Sequence, residues 1–412
     1  MRGILNVCVA AIAWLIVGCG VTGCNGKVAE SAATPVVSDS GADASAWADS
    51  VMGTMSAEER AAQLVMPALY ARDDDAELRL LREYACSLHV GGIVLLKGTL
   101  PEARALADSL ARWSTVLPLV AIDGEWGLSM RLSDAPRFPA NRDIDPAATE
   151  NALYDYGYEM ARECRAAGIN MLLGPVVDVL GTDRPQGGLG YRSFGDDPER
   201  VARFGVAYSR GVEDGNVISV AKHFPGHGRS TSDSHRNLPV IDASRAALDT
   251  TDLLPFKRYS EVGLSGIMTG HLSVPALDAS GRPATVSDSM LNGVLRKDIG
   301  FKGLIITDAM NMGAVTSYSA SDAVKAGADI VLAPVDTKEA LASIALLDSA
   351  LLADRCRRVL IRKYRLAGPL PARAPLDSLS IRADAVSSRL YTFGITQNQR
   401  PRSGFGTRAP LI

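Results

Sequence analysis

The chain is expected to fold as an α/β protein of the (β/α)8 TIM-type barrel class, and three observations lead there. Eight short, mostly apolar runs recur, at residues 63–66, 92–96, 119–122, 170–173, 217–221, 266–269, 304–307 and 329–332. Each has the length and composition of a buried strand. Helix-like stretches such as 102–113 and 198–212 alternate with them, and alternation of this kind is the pattern of a parallel sheet covered by helices. Polar residues also gather where runs end: Asp123 after the third, Lys222 after the fifth, His271 just past the sixth, Asp308 after the seventh. In such barrels the working residues stand where strands end. A doubly wound open sheet would do the same, but no glycine-rich phosphate fingerprint follows the first run.

Taken in order, the elements begin with Arg2 and an apolar stretch over 4–17. That stretch is too short to span a bilayer and reads as a secretory signal. Ile16-Val17-Gly18-Cys19 and Val21-Thr22-Gly23-Cys24 both resemble a bacterial lipobox. Residues 1–24 are therefore expected to be a signal region, with Cys19 or Cys24 as the lipid attachment. An exported lipoprotein, periplasmic or outer-membrane associated, is the expected location. Residues 25–50, rich in Ala, Ser, Asp and Gly, read as a flexible tether. Ser56 with Glu59 forms a capping-box pattern that opens the first helix of a barrel domain expected over 51–368. The last helix is expected at 351–366, with Arg355, Arg357, Arg358, Arg362 and Lys363 as a solvated face. Residues 369–412 are too few for a further domain and read as a poorly ordered tail.

Composition narrows the function classes. The 412 residues are 47% hydrophobic with a net charge of −3, a balance that offers no basic field for nucleic acid. Outside the signal region only Cys86, Cys164 and Cys356 remain. An odd, widely spaced set argues against a disulfide framework, and no pair has zinc-ligand spacing.

The densest chemistry lies in Lys222-His223-Phe224-Pro225-Gly226-His227-Gly228, followed by Asp233-Ser234-His235, which holds three of the five histidines. His223 and His227 sit four apart, as in helical zinc motifs. Pro225 and Gly226 between them break such a helix, so the segment is expected to be a loop and no metal site is expected. By themselves, Asp308 could cap a helix, Arg131 and Arg192 could be surface cations, and Lys222 could pair with Asp123 or Asp178 across the strand ends.

The set as a whole resembles glycoside hydrolase family 3, and its β-N-acetylglucosaminidase branch in particular. The residues that carry the resemblance are Asp123-Gly124-Glu125-Trp126-Gly127 with Arg131, Gly190-Tyr191-Arg192-Ser193-Phe194-Gly195, the 222–228 segment, Asp233-Ser234-His235, and Thr307-Asp308-Ala309-Met310. They run in the family's order, and the resemblance covers residues 56–368. It implies a single catalytic domain in which Asp308 is the nucleophile of a retaining reaction. His235 would be the acid and base, its unperturbed pKa of ~6.5 suiting both roles, and Asp233 would orient it. Asp123, Arg131, Arg192, Lys222 and His223 would clamp the terminal sugar, with His227 and His271 supporting the loop. Trp126 and Leu128 depart from the residues that many family members carry. Trp126 could stack on sugar or simply pack.

The resemblance implies no metal or organic cofactor. The expected ligand is an N-acetylglucosamine-containing saccharide, with peptidoglycan fragments ahead of chitin or glycoprotein sugars. A glucosidase-type specificity and a non-catalytic, sugar-binding surface lipoprotein are the alternatives.

Overall fold

The computed structural model describes residues 41–72, 74–181, 189–230, 238–367 and 372–391. In chain order the elements are α1 (Gly41–Gly53), α2 (Ala57–Ala62), β1 (Val65–Met66), β2 (Ala68–Ala71), α3 (Asp75–Arg82), β3 (Gly92–Gly98), α4 (Leu100–Trp113), β4 (Leu119–Ile122), α5 (Glu150–Ala166), β5 (Met171–Leu172), α6 (Pro198–Asp214) and β6 (Ile218–Phe224). They continue with α7 (Arg245–Thr250), α8 (Leu254–Glu261), β7 (Gly266–Thr269), β8 (Leu304–Thr307), α9 (Ala320–Ala326), β9 (Val331–Leu332), α10 (Thr337–Ala345), α11 (Ser349–Leu366) and α12 (Leu379–Ser388). Side-chain caps start many of the helices. Ser56 and Glu59 form the reciprocal box, and Asp74, Thr99, Thr149, Asp197, Ser319, Asp336 and Asp348 each accept backbone N–H groups of the first turn.

Strands β2 to β8 form one seven-stranded, all-parallel sheet in sequence order, a curled half-barrel with helices between successive strands. β1 and β9 form a separate parallel pair. Ile330, just before β9, bridges to Ile306 of β8, with Thr307 N donating to Ile330 O at 3.0 Å, and β1 runs through Pro67 into β2.

Strand residues are buried on both faces because the side-chain period is two. Val94, Leu119, Ala121, Met171, Ile218, Val220, Leu304 and Ile306 share one apolar cluster with Met66, Ile330 and Leu332. Their neighbours Ile93, Leu95, Val120, Ile122, Leu172, Ala221, Ile267 and Ile305 belong to the larger cluster that contains the helix residues. Helices α5 and α6 meet where Gly157 and Gly211 leave room: a Cβ on Gly157 would stand 1.9 Å from Tyr208 O. Any side chain there would push the helices apart.

Four expectations change. Strand β6 runs through Lys222, His223 and Phe224, which the proline and glycine led one to read as loop; pairing of Phe224 with Thr269 on β7 carries the ladder onward. Helix α1 occupies part of the expected tether, because Trp47 packs on Tyr364 (5.6 Å between ring centres) and Asp49 pairs with Arg357. Helix α12 occupies part of the expected tail, burying Leu379, Ala383 and Val386, with Arg162 donating to Leu379 O. The basic residues of α11 do not form one solvated face. Arg355 and Lys363 are buried, and Lys363 Nζ donates to Gln63 Oε1 and Gly91 O, both at 2.7 Å. Among the described residues no helix is long and apolar enough to cross a membrane.

Candidate active site

Parallel strands put their C-terminal ends at one edge, so residues distant in sequence meet there. Asp123 follows β4 and its carboxylate takes two cations: Arg131 Nη2 at 2.6 Å and Lys222 Nζ at 2.7 Å. Lys222, near the end of β6, also reaches Glu125 Oε1 at 2.7 Å. Glu125 in turn holds Arg192 in a two-point contact, at 2.7 and 2.8 Å. The planar fork of arginine suits a carboxylate in this way. Arg192 is held from behind, since Asn141 Nδ2 donates to its carbonyl at 2.7 Å.

The chain of contacts continues to histidine. Arg192 Nη2 lies 3.3 Å from His223 Nε2, and His223 Nδ1 lies 2.7 Å from Asp178 Oδ2. A guanidinium can only donate, so Nε2 is the acceptor and the ring proton sits on Nδ1, facing Asp178. Asp178 Oδ1 also accepts the backbone N–H groups of His223 and His227, at 3.1 and 2.7 Å. Asp178 gets there because its segment pairs with β6: Val177 N donates to Lys222 O and Lys222 N donates to Pro175 O. The Lys222–His223 and Phe224–Pro225 peptide bonds are cis.

These carboxylates are buried, and burial alone would raise their pKa values. The adjacent cations reverse the direction. Lys222 and Arg131 hold Asp123 well below the usual carboxylate range. Arg192 and Lys222 bring Glu125 down to about 2, and His223 brings Asp178 down to about 2. His227 goes the other way: burial, with His223 beside it, lowers its imidazole to about 4.

Asp308 follows β8 and differs from the rest. Its backbone N donates to Thr269 O at 3.1 Å, and its Oδ1 accepts the N–H of Ala309 at 2.8 Å. Among the described residues no cation forms an ion pair with it. Burial would raise its pKa, but the fields of His271, His223 and, more weakly, Lys222 lower it below the ordinary value. It is thus an ionised carboxylate that, among the described residues, has no cation paired to it, beside a network in which the other carboxylates have one.

The structure therefore brings together Asp123, Arg131, Arg192, Lys222 and His223 in one network, and the pairing of Lys222 with Asp123 falls inside it. Cys19, Cys24, Asp233 and His235 lie outside the described residues. Sequence reasoning did not give Glu125 a role, nor Asp178 its place under His223; both stand near strand ends, the signal that could have found them. His271 was expected to support the 222–228 segment. Its Nε2 instead donates to Ala309 O at 3.0 Å and its Nδ1 meets Thr285 Oγ1 at 2.7 Å, so it steadies the backbone after Asp308. Trp126 packs edge-on against Tyr191, with ring centres 5.6 Å apart. Among the described residues no group of His, Cys, Asp and Glu is arranged to hold a metal ion.

With this geometry in view, the likeness to known proteins has a physical basis. The family model described as the glycosyl hydrolase family 3 N terminal domain matches residues 56–361. A protein named beta-hexosaminidase from Alkalilimnicola ehrlichii is 34% identical over 267 residues, which is 61% of this chain and 75% of that protein. One of the same name from Chromobacterium violaceum is 34% identical over 288 residues, 66% of this chain and 80% of that protein. Among solved structures, a family 3 β-N-acetylglucosaminidase from a Paenibacillus species superposes with a TM-score of 0.73 at 28% identity, covering 82% of this chain and 69% of the other.

Proposed function

Because the chain belongs to glycoside hydrolase family 3 and is a glycoside hydrolase, we propose that it is a retaining, exo-acting β-N-acetylhexosaminidase that releases terminal β-linked N-acetylglucosamine. The observation that carries this reading is Asp308: an ionised, partly buried carboxylate at a strand end, without an ion-pair partner among the described residues, beside a preformed clamp of acids and cations. The name shared by the relatives points to the hexosamine. The sheet is read here as the larger part of a closed (β/α)8 barrel in a single catalytic domain. The backbone bonds from Val331 N to Leu64 O and from Asp329 N to Ile305 O support that closure.

In the proposed reaction the Asp308 carboxylate attacks the anomeric carbon and forms an ester to it. The bond to the leaving oxygen breaks as His235 gives that oxygen its proton. His235 then takes a proton from water, the water oxygen bonds to the same carbon, and Asp308 departs as carboxylate. Two inversions leave the configuration retained. Asp233 would orient His235. Arg131, Asp123, Lys222, Arg192 and His223 would hold the sugar's hydroxyl and acetamido groups, and such positioning lowers the barrier by fixing the reacting atoms. The proposed setting is a lipid-anchored exported protein, attached through Cys19 or Cys24, acting on peptidoglycan fragments or related oligosaccharides.

The test is nitrophenol release from the β-N-acetylglucosaminide. Asp308→Ala should lower kcat by roughly 10⁴-fold or more with the fold unchanged by circular dichroism. His235→Ala should slow a natural disaccharide far more than the nitrophenyl glycoside, whose leaving group needs little protonation. Faster release from the glucoside than from the N-acetylglucosaminide would replace the specificity proposed here, and full activity of Asp308→Ala would remove the nucleophile.

A further inference from the structure

The hydrogen bonds that hold the chain around Asp308 differ in origin. Asp308 N donates to Thr269 O at the end of β7, at 3.1 Å, and Met310 N donates to Leu332 O of β9, at 2.9 Å, so strands hold the chain on either side. The Ala309 carbonyl between them lies beyond β8, and a side chain meets it: His271 Nε2, at 3.0 Å. The same residue, Ala309, gives its N–H to Asp308 Oδ1 at 2.8 Å. A shift of Ala309 therefore moves the group that orients the carboxylate.

His271 follows the end of β7 by two residues and is completely buried. A carbonyl can only accept, so Nε2 carries the proton, and in the neutral imidazole Nδ1 is then an acceptor. Thr285 Oγ1, 2.7 Å from Nδ1, is its donor. With its one proton turned to Nδ1, the Thr285 oxygen accepts the proton of Thr269 Oγ1, at 2.9 Å. Gly270 O, 3.3 Å from Thr285 Oγ1, is the more distant acceptor for the Thr285 proton. Donors thus run in one direction, from Thr269 to Thr285 to His271 to the Ala309 carbonyl, and all four residues are buried. Thr285 reaches this place because the one-turn helix Ala284–Val286, in the connection from β7 to β8, folds back onto the start of that connection: Ala284 N donates to Leu272 O at 2.8 Å. A buried chain of hydrogen bonds whose members are all satisfied rigidifies what it touches.

We propose that Thr285 and His271 act together as a positioning pair for the nucleophile: the Thr285 hydroxyl keeps the His271 ring in its Nε2–H form, and that N–H holds Ala309, and with it the Asp308 carboxylate, in the geometry for attack on the anomeric carbon. The proposal rests on the reading of Asp308 as the nucleophile. Neither residue belongs to the proposed sugar clamp, so the pair acts on turnover and not on sugar binding.

The test follows nitrophenol release from the β-N-acetylglucosaminide by the full chain, together with N-acetylglucosamine binding by calorimetry. Thr285→Val keeps the branched shape and removes the hydroxyl. It should lower kcat about tenfold or more, with KM and the Kd for N-acetylglucosamine within about twofold of the parent. Thr285→Ser, which restores the hydroxyl, should bring kcat back to within about threefold. His271→Asn has an amide too short for the Ala309 carbonyl and should lower kcat about a hundredfold; His271→Gln places an N–H near the position of Nε2 and should lose far less. Unchanged kcat in Thr285→Val, equal losses in Thr285→Val and Thr285→Ser, or equal losses in the two His271 variants would overturn the pair while leaving Asp308 as the nucleophile. A weakening of N-acetylglucosamine binding as large as the fall in kcat would also overturn it, by placing the loss in the clamp. Full activity of Asp308→Ala, or a parent inactive on the glycoside, removes the nucleophile reading and the positioning pair with it.

Discussion

Asp178 shows how single side chains set this site. It fixes the His223 ring through Nδ1 and holds the backbone of His223 and His227. Its folded pKa of about 2 lies below the ordinary 3.8, chiefly because of His223 and against the effect of burial. A depressed carboxylate stabilises the fold above its unfolded pKa, and that contribution disappears as pH falls through the folded value. Between about pH 4 and pH 2 the protein should therefore lose ~2 kcal/mol from this group. Asp178→Asn should be less stable at neutral pH and show a shallower decline over that window in denaturant midpoints. It should also lower kcat through the misdirected His223, and a decline as steep as the parent's would show that Asp178 is not the group titrating. Asp308 is held low by its neighbours in the same way, so it stays ionised down to acidic pH.

At the scale of elements, α11 is the informative case. Its amphipathic pattern is read easily as a basic exterior, yet Lys363 is turned inward to two neutral oxygens at the start of β3 and beside α2. Burial without a carboxylate partner lowers its ammonium to about 7 from 10.5. In that interval the unfolded chain binds the extra proton, so stability should rise with pH from about 7 towards 10.5 and be level below 7. Lys363→Met, which keeps the length and removes the charge, should abolish the rise; a curve parallel to the parent's would mean that another group carries it. Helix α1 makes a related point. It lacks strong sequence periodicity and owes its place to docking on α11, in keeping with the dominance of tertiary packing over propensity in short helices.

For the molecule as a whole, the segment that leads from β8 into β9 is held by a buried ion cluster. Asp329 is fully buried there. Its Oδ2 accepts from Ile305 N at 2.8 Å and from Arg296 at 2.6 Å, and its Oδ1 from Arg358 at 2.7 Å. Asp329→Ala would leave two guanidinium groups without their buried partner, which costs on the order of 3–5 kcal/mol. The expected result is one cooperative unfolding transition at a clearly lower temperature. A separate early transition would instead mean that β9 and the helices after it unfold independently of the remaining sheet.

Much of this was legible in the order of residues. Apolar runs fixed eight strand positions because a strand buried on both faces has no polar side to confuse the reading, though β2 was not among them. Charged residues at the ends of those runs marked Asp123, Lys222 and Asp308 before any contact was known. Other features are properties of the folded chain alone. Lys222 and Asp123 are 99 residues apart, Arg192 and Glu125 are 67 apart, and His223 and Asp178 are 45 apart. Which acid takes which cation depends on how neighbouring strands are registered, and a linear sequence does not encode register locally. The sequence by itself determined the strands and the inventory of reactive groups; the tertiary structure decided the pairing, because charges choose partners by distance, and distance is set only when the sheet curls.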